Sequence, residues 1–249
     1  MASAKRMARK PKQYLKVPTV GMETEFFVID NNGLMSNSAD EIIREAKLAN
    51  ELVDVKEECA KNMIEFGCKP HFYLHRAFLD LIRGVEHALK KAHGHGLMFY
   101  PYGTYPGRFE PIMRTTGLYG IKSEVFGAER FKIAGRCVGF HFHKVLPWGV
   151  FDKQNRALKQ LSESKIKRTV VDTHNLCIAS DPAITTLMQS SPFYQGTHIG
   201  KDSRVIVYRG GGQLGYAEGF YAKLQEFGGL PSYKTYGKDI IHKIGEKYL

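Results

Sequence analysis

The chain has 249 residues, of which 43% are hydrophobic, and a formal net charge of +11 at pH 7. This length and apolar content suffice for a sizeable core in one or two domains and exclude an intrinsically disordered chain. No stretch approaches the roughly 18 apolar residues of a membrane span, and no apolar segment follows the basic N-terminus as in a signal peptide. We therefore expect a cytoplasmic protein without a membrane partner.

Much of the positive charge is concentrated at the N-terminus, and residues 1–17 are predicted to form a basic disordered tail. Residues 18–249 are then a single domain that is only mildly basic. No aromatic-plus-basic signature of RNA recognition occurs, so a nucleic-acid partner is disfavoured. The four cysteines lack CxxC spacing and are expected to be reduced thiols.

Residues 18–30 are predicted to form the first strand, and two carboxylates interrupt its apolar pattern. Side chains alternate along a strand, so Glu23 and Glu25 share one face about 7 Å apart, while Met22 and Phe26 point to the other face. Two like charges on a core strand cost several kcal/mol unless they are compensated. We therefore expect a cation between them, most simply a metal ion.

Four elements are predicted next in chain order. Asp30-Asn31-Asn32-Gly33 indicates a hairpin turn, and a capping box opens a helix over residues 38–52. A short strand over residues 62–67 precedes a helix over residues 74–92. Apolar residues at three- and four-residue spacings predict the buried face of this longer helix. They are Leu74, Phe78, Leu81, Val85, Leu89 and Ala92.

The second half continues the alternation of strands and helices. Strands are predicted at 97–102 and 137–146, helices at 153–164 and 170–190, loops at 190–196 and 208–215, and a C-terminal helix through Ile240, Ile241 and Ile244. In the strand at 137–146, His141 and His143 face away from the apolar residues. The pattern favours an α+β fold, in which helices cover one face of a mainly antiparallel sheet and leave the polar face open.

Ionisable residues recur on the predicted polar face. They are Glu23, Glu25, Glu65, His141 and His143. Carboxylates with one imidazole suit Mg²⁺ or Mn²⁺ better than zinc. A solvated sheet face is the alternative, which explains any one of these residues but explains the set less well.

The position of Glu58 depends on a bend in the chain. It precedes Glu65 by seven residues, so the two carboxylates converge only if the chain bends near Lys61-Asn62. Otherwise Glu57 and Glu58 form the end of a solvated helix.

Five motifs occur in order between residue 18 and about residue 200. They are Gly21-Met22-Glu23-Thr24-Glu25-Phe26, Glu58 to Glu65-Phe66, Gly103-Thr104-Tyr105-Pro106, Cys137-Val138-Gly139-Phe140-His141-Phe142-His143 and Ser190-Ser191-Pro192-Phe193-Tyr194-Gln195-Gly196. Together they resemble the glutamate-cysteine ligase family, in its carboxylate-amine ligase branch.

This resemblance implies a glutamine-synthetase-like fold and one ligase-like catalytic domain over residues 18–249. It implies ATP-dependent formation of an amide between glutamate and a small amine such as cysteine, through a γ-glutamyl phosphate, as in glutathione biosynthesis. The cofactors it implies are ATP and Mg²⁺ or Mn²⁺.

The resemblance also implies roles for individual residues. The metal ligands would be Glu23, Glu25, Glu58, Glu65 and His141, and the catalytic role would rest on Glu23, Glu25, Glu65 and His141. His143 either binds metal or orients substrate. Four arginines are candidates for nucleotide contacts, because a guanidinium pairs bidentately with phosphate. They are Arg130, Arg136, Arg204 and Arg209.

One part of the family pattern has no counterpart in this sequence. A late strand that carries a further metal-binding Glu, with an Arg two residues on, is not matched. The resemblance thus implies a C-terminally incomplete chain whose site a second polypeptide or a second copy completes. Two functions stay open: a carboxylate-amine ligase, and a non-catalytic metal- or nucleotide-binding relative or subunit of a split ligase.

Overall fold

A five-stranded antiparallel sheet is the centre of the fold. The computed structural model describes residues 19–49, 52–145, 151–152, 157–158, 164–210, 216–222 and 231–236. The strands of the sheet are β1 (Thr19–Asp30), β2 (Val53–Glu57), β3 (Met63–Cys68), β4 (Leu97–Tyr100) and β5 (Phe140–Val145). The predicted N-terminal tail and C-terminal helix lie outside the described residues.

Strand β1 organises the sheet because it pairs along both of its edges. Its middle pairs with β3, which in turn pairs with β2. On the opposite edge, the N-terminal half of β1 pairs with β5 and the C-terminal half pairs with β4. Each of these pairings is antiparallel, which confirms the predicted sheet type.

Six α-helices, a short 3₁₀ helix (Ala134–Arg136) and two short hairpins complete the described part of the chain. The helices are α1 (Ala39–Ala49), α2 (Leu74–Gly94), α3 (Leu118–Phe126), α4 (Ala128–Phe131), α5 (Ser164–Leu187) and α6 (Ser203–Arg209). The hairpins pair β6 (Phe151–Asp152) with β7 (Ala157–Leu158), and β8 (Phe193–Tyr194) with β9 (Thr197–His198). None of the helices in the described ranges is long and apolar enough to cross a bilayer.

Two apolar clusters lie on opposite faces of the sheet. Helices α1 and α2 bury one face, as predicted, over a core that includes Ile42, Ile64 and Phe66. The second cluster gathers around Phe27 and Met63 and includes residues of α4 and α6. It covers only part of the other face, so the remainder stays open for polar side chains.

The prediction was wrong between the first helix and β3. Helix α1 ends at Ala49, and Val53–Glu57 forms strand β2 instead of the end of a solvated helix. Pairing with β3 supplies the backbone hydrogen bonds of this segment, and Val53 and Val55 are buried under the helices. The β2–β3 hairpin provides the bend on which the convergence of Glu58 and Glu65 was predicted to depend.

Other differences follow from local pairing. Ala157–Leu158 pairs as a strand with Phe151–Asp152, so the helix predicted at 153–164 is wrong at those two positions, and its other residues before Ser164 are outside the described part. The predicted loop at 190–196 contains β8, and the loop predicted at 208–215 begins inside α6.

The buried face of α2 is only partly the one predicted: Leu81 and Ala92 are buried as predicted, and Val85 packs against the core. The buried residues of the helix are Ala77, Leu81, Gly84, Ala88 and Ala92, whereas Leu74 and Phe78 are about half exposed. Small side chains let the helix backbone approach the sheet closely, and this close approach outweighs burial of the larger residues.

We expect Gly84→Ala to lower the free energy of unfolding by about 1–3 kcal/mol, because it overpacks this contact. A methyl group at position 84 would lie 2.3 and 2.6 Å from the two Cγ atoms of Val53. Val53 is buried and β-branched, so it cannot rotate away cheaply. Urea denaturation followed by circular dichroism measures the change.

Gly94→Ala is the matched control in the same helix, since no atom lies within 4 Å of the methyl it would add. Its stability should equal or exceed that of the wild type, because alanine favours helix more than glycine does. Equal stability of the two variants would contradict the close approach of α2 to β2.

Candidate metal centre

The open part of the sheet face brings side chains together from four strands. In one cross-strand row, Glu65 of β3 lies opposite both Glu25 of β1 and Lys56 of β2. In the adjacent row, Glu23 of β1 lies opposite His141 of β5. Directly opposite side chains in antiparallel strands stand about 5 Å apart on the same face. The strand register therefore forces these ionisable groups into proximity.

Six side chains on this face form two groups of potential metal ligands. We call Glu23, His141 and His143 the histidine group, and Glu25, Glu58 and Glu65 the carboxylate group. Within each group, one ligand atom of every residue lies within 4.8 Å of the others. The structure thus brings together all five predicted metal ligands and adds His143.

His141 connects the two groups. Its Nδ1 atom is 3.6 Å from Oε2 of Glu23, and its Nε2 atom is 3.7 Å from Oε1 of Glu25. The same Glu23 oxygen lies 3.0 Å from Nε2 of His143. The imidazole of His141 therefore lies between the carboxylates of Glu23 and Glu25, and so between the two ligand groups.

Backbone groups fix the carboxylates of Glu25 and Glu58. The backbone N–H of Gly139, just before β5, donates to Oε2 of Glu25 at 2.8 Å. The N–H of Cys59 donates to Oε2 of Glu58 at 2.5 Å. Glu58 follows β2 directly, so the β2–β3 turn carries its side chain to the open face beside Glu25 and Glu65.

The nearby cations, Lys56 beside Glu65 and the more distant Arg204, do not fully compensate the carboxylates of the carboxylate group. Burial and the neighbouring Glu58 raise the pKa of Glu25 to about 8, against the opposing effects of the Gly139 N–H and Arg204. Burial and Glu23 also raise the pKa of Glu65, although Lys56 opposes them. An all-oxygen set of this kind fits a hard divalent ion such as Mg²⁺ or Mn²⁺, which would stabilise the ionised form.

The histidine group has a different electrostatic balance. Burial raises the pKa of Glu23, but hydrogen bonds and charge from Lys56 and His143 outweigh it and leave the pKa lowered. Burial and Arg204 lower the pKa of His141. A neutral imidazole beside an ionised carboxylate is the protonation state that metal ligation requires.

Arg204 of α6 is the predicted arginine that the structure brings to this site. A methyl group on Gly139 would lie 2.7 Å from an Nη atom of Arg204 and 3.1 Å from Nε2 of His141. The guanidinium packs over the ring of Tyr208, 5.0 Å from the ring centroid. Its Nε is buried and has no hydrogen-bond partner among the described residues.

The other three predicted arginines have different surroundings. Arg130 and Arg136 line an open cavity of about 570 Å³ whose lining includes no member of either ligand group. Arg136 forms an ion pair with Glu110 at 2.5 Å. Arg209 pairs with Asp181 of α5, at 2.8 and 3.0 Å to its two carboxylate oxygens.

Two of the sequence motifs contact each other. Thr104 donates a hydrogen bond from its hydroxyl to the carbonyl of Phe193 at 2.7 Å, and the N–H of Gly196 donates to Pro106 at 2.8 Å. The Gln195 amide both accepts from and donates to the backbone of Phe109. These motifs hold the β8–β9 hairpin against the segment that follows β4.

Sequence reasoning missed Lys56. Its Nζ lies 3.3 Å from Oε1 of Glu23 and 3.3 Å from Oε1 of Glu65. The signal that could have found it is the alternation Val53-Asp54-Val55-Lys56, which places Asp54 and Lys56 on the polar face once this segment is recognised as a strand.

We expect the metal-free protein to lose stability as the pH rises, because of Glu25. Its ordinary pKa is 4.5, and the folded protein raises it to about 8. Between these values the folded state binds more protons than the unfolded state, so the stabilisation is complete below pH 4.5 and is lost as the pH rises through 8. The loss amounts to at most about 5 kcal/mol.

Glu25→Gln mimics the protonated carboxyl and should remove this dependence. In EDTA, the variant should melt above the wild type at pH 8 and close to it at pH 4.5, as thermal denaturation would show. A wild type that gains stability relative to the variant between these pH values would contradict the raised pKa.

The comparison with protein families agrees with the sequence motifs. The family model of glutamate-cysteine ligase family 2 matches residues 19–220, a range that includes both ligand groups. No protein of curated function gives a significant match. A crystal structure of glutamate-cysteine ligase from Francisella tularensis in complex with AMP matches partially, with a TM-score of 0.39 and 16% identity over 54% of this chain and 28% of that one. The chain spans less than a third of that solved protein. Because the family match covers most of the sequence, the chain belongs to glutamate-cysteine ligase family 2.

Proposed function

We propose that this chain carries the metal-nucleotide site of an ATP-dependent carboxylate-amine ligase that joins glutamate to a small amine. Cysteine is the amine that the family leads us to expect. The observation that best supports the proposal is the pair of ligand groups on one sheet face, connected through His141. Family membership supplies the reaction class. The free cysteines agree with the cytoplasmic location that we include in the proposal.

The proposed reaction has two steps. The γ-carboxylate oxygen of glutamate attacks the γ-phosphorus of ATP, and ADP leaves with the electrons of the broken P–O bond. The amine of the second substrate then attacks the acyl carbon and loses a proton, and inorganic phosphate leaves. Both steps bring anions together, so the site must neutralise charge.

The carboxylate group, Glu25, Glu58 and Glu65, would hold one Mg²⁺ or Mn²⁺, and the histidine group, Glu23, His141 and His143, would hold another. When bound, such ions would supply positive charge that neutralises the charge developing during phosphoryl transfer. The protein's own task is to present ionised carboxylates, and the N–H of Gly139 fixes the orientation of Glu25 for this purpose.

Arg204 is the residue that we assign to the anionic substrate. Its guanidinium lies beside His141, and its buried Nε has no partner among the described residues. Stacking on Tyr208 restricts its rotation, so its donors are already oriented for a phosphoryl or carboxylate oxygen. The proposal uses Arg204 rather than Arg130, Arg136 and Arg209, which line a separate cavity or pair with Asp181.

The test is ADP release from ATP and Mg²⁺ that depends on both glutamate and cysteine. Glu58→Gln should lower kcat roughly 100-fold or more, because it removes one ligand of the carboxylate group. Hydroxylamine in place of cysteine should yield γ-glutamyl hydroxamate, which reports the acyl phosphate directly. A screen of small amines then identifies the accepted substrate.

Glu57→Gln is the matched control. Glu57 is the adjacent residue, its side chain is 53% exposed and its carboxylate lies 3.7 Å from Arg114, outside both ligand groups. This variant should keep the activity of the wild type. Equal losses in the two variants, or no glutamate-dependent ADP release by the wild type, would contradict the proposed function.

A further inference from the structure

Lys56 bridges the two ligand groups. Its ammonium contacts Glu23 from the histidine group and Glu65 from the carboxylate group, at 3.3 Å each, and lies 3.7 Å from Asp54 of its own strand. It uses Oε1 of Glu23, whereas the histidines approach Oε2 of the same side chain. Lys56 is thus a cation within the proposed metal site itself.

The residue opposite Glu23 on β3 makes this reach possible. Gly67 lies in register between Asp54 of β2 and Glu23 of β1. A methyl group there would already lie 3.4 Å from Cγ of Glu23 and 3.5 Å from Nζ of Lys56. These are ordinary van der Waals distances, so a methyl would fit, whereas a longer side chain would fill the space through which Lys56 extends across β3 to the carboxylate of Glu23.

Lys56 differs from the groups it bridges in its freedom to move. Its side chain is 41% exposed, compared with 12% for Glu65 and 26% for Glu23. The flexible four-carbon stem of a lysine lets the ammonium leave one anion for another nearby. Arg204, which also lies near the site, packs instead on the ring of Tyr208.

We propose that Lys56 makes divalent-metal binding depend on nucleotide: it opposes a bare ion and favours an ion that arrives with a polyphosphate. This inference rests on the proposed function. A divalent ion about 5 Å from an ammonium is repelled enough to lower its affinity roughly tenfold, even at the dielectric constant of water. A metal-ATP complex carries net negative charge, so the same ammonium attracts it.

The experiment titrates the full chain with Mn²⁺, alone and as its complex with a non-hydrolysable ATP analogue, by isothermal calorimetry. Lys56→Met should bind Mn²⁺ alone roughly tenfold more tightly than the wild type and should bind the Mn²⁺-analogue complex more weakly. Lys56→Arg, which keeps the charge, should resemble the wild type in both titrations. Thermal melting of each variant verifies that the half-exposed substitution leaves the fold intact.

Lys61→Met is the matched control for loss of a positive charge. Lys61 is exposed in the turn between β2 and β3, so its substitution should change neither affinity by more than about twofold, given solvent screening. Opposite changes in the two Lys56→Met titrations support the inference.

The possible failures separate the inference from the function on which it rests. If Lys56→Met binds bare Mn²⁺ with unchanged or weaker affinity, Lys56 merely orients the carboxylates and the inference is overturned, while the proposed site stands. If neither the wild type nor Lys56→Met binds Mn²⁺, with or without the analogue, the proposed metal site and the inference both fail.

Discussion

The site depends on one constraint: several carboxylates lie so close together that either a proton or a cation must offset their mutual repulsion. Strand β1 carries Glu23 and Glu25 on one face, and its register with β3 sets Glu65 directly opposite Glu25. The β2–β3 turn adds Glu58 to the same group. Burial of Glu25, of which 10% of the side chain is exposed, then favours the protonated carboxyl until a cation arrives.

The rest of the fold maintains this arrangement. Helices α1 and α2 bury the opposite face of the sheet, so the apolar side chains that alternate with the glutamates, among them Met22, Ile64 and Phe66, anchor the strand register. A register slip by one residue would turn the carboxylates into this core. The small residues of α2 let this helix pack closely against one face of the sheet. On the other face, Gly67 leaves room for Lys56 to reach Glu23.

The first strand and its two carboxylates were predictable, because alternation along a strand fixes which side chains share a face. The bend that brings in Glu58 was predictable only as a condition, since the sequence offered a solvated helix as the alternative. Strand β2 escaped detection because its alternation spans only Val53 to Lys56 before the adjacent charges of Glu57 and Glu58 interrupt it, and Lys56 was missed with it. The buried face of α2 was predicted only in part, because apolar spacing does not reveal how closely a helix approaches a sheet: Leu81 and Ala92 are buried, but Leu74 and Phe78 are not. The sequence could not show which of the four candidate arginines lies at the site, because their positions depend on contacts between distant segments, such as that of Arg209 with Asp181.

Proton release on metal binding tests the central claim most directly. If the carboxylate group holds the divalent ion, Glu25 must lose the proton that burial retains up to a pKa of about 8. Calorimetric titration with the Mn²⁺-analogue complex at pH 7, in two buffers of different ionisation enthalpy, should show about one proton released per complex bound, and Glu25→Gln should abolish the release. Binding without proton release would contradict the account.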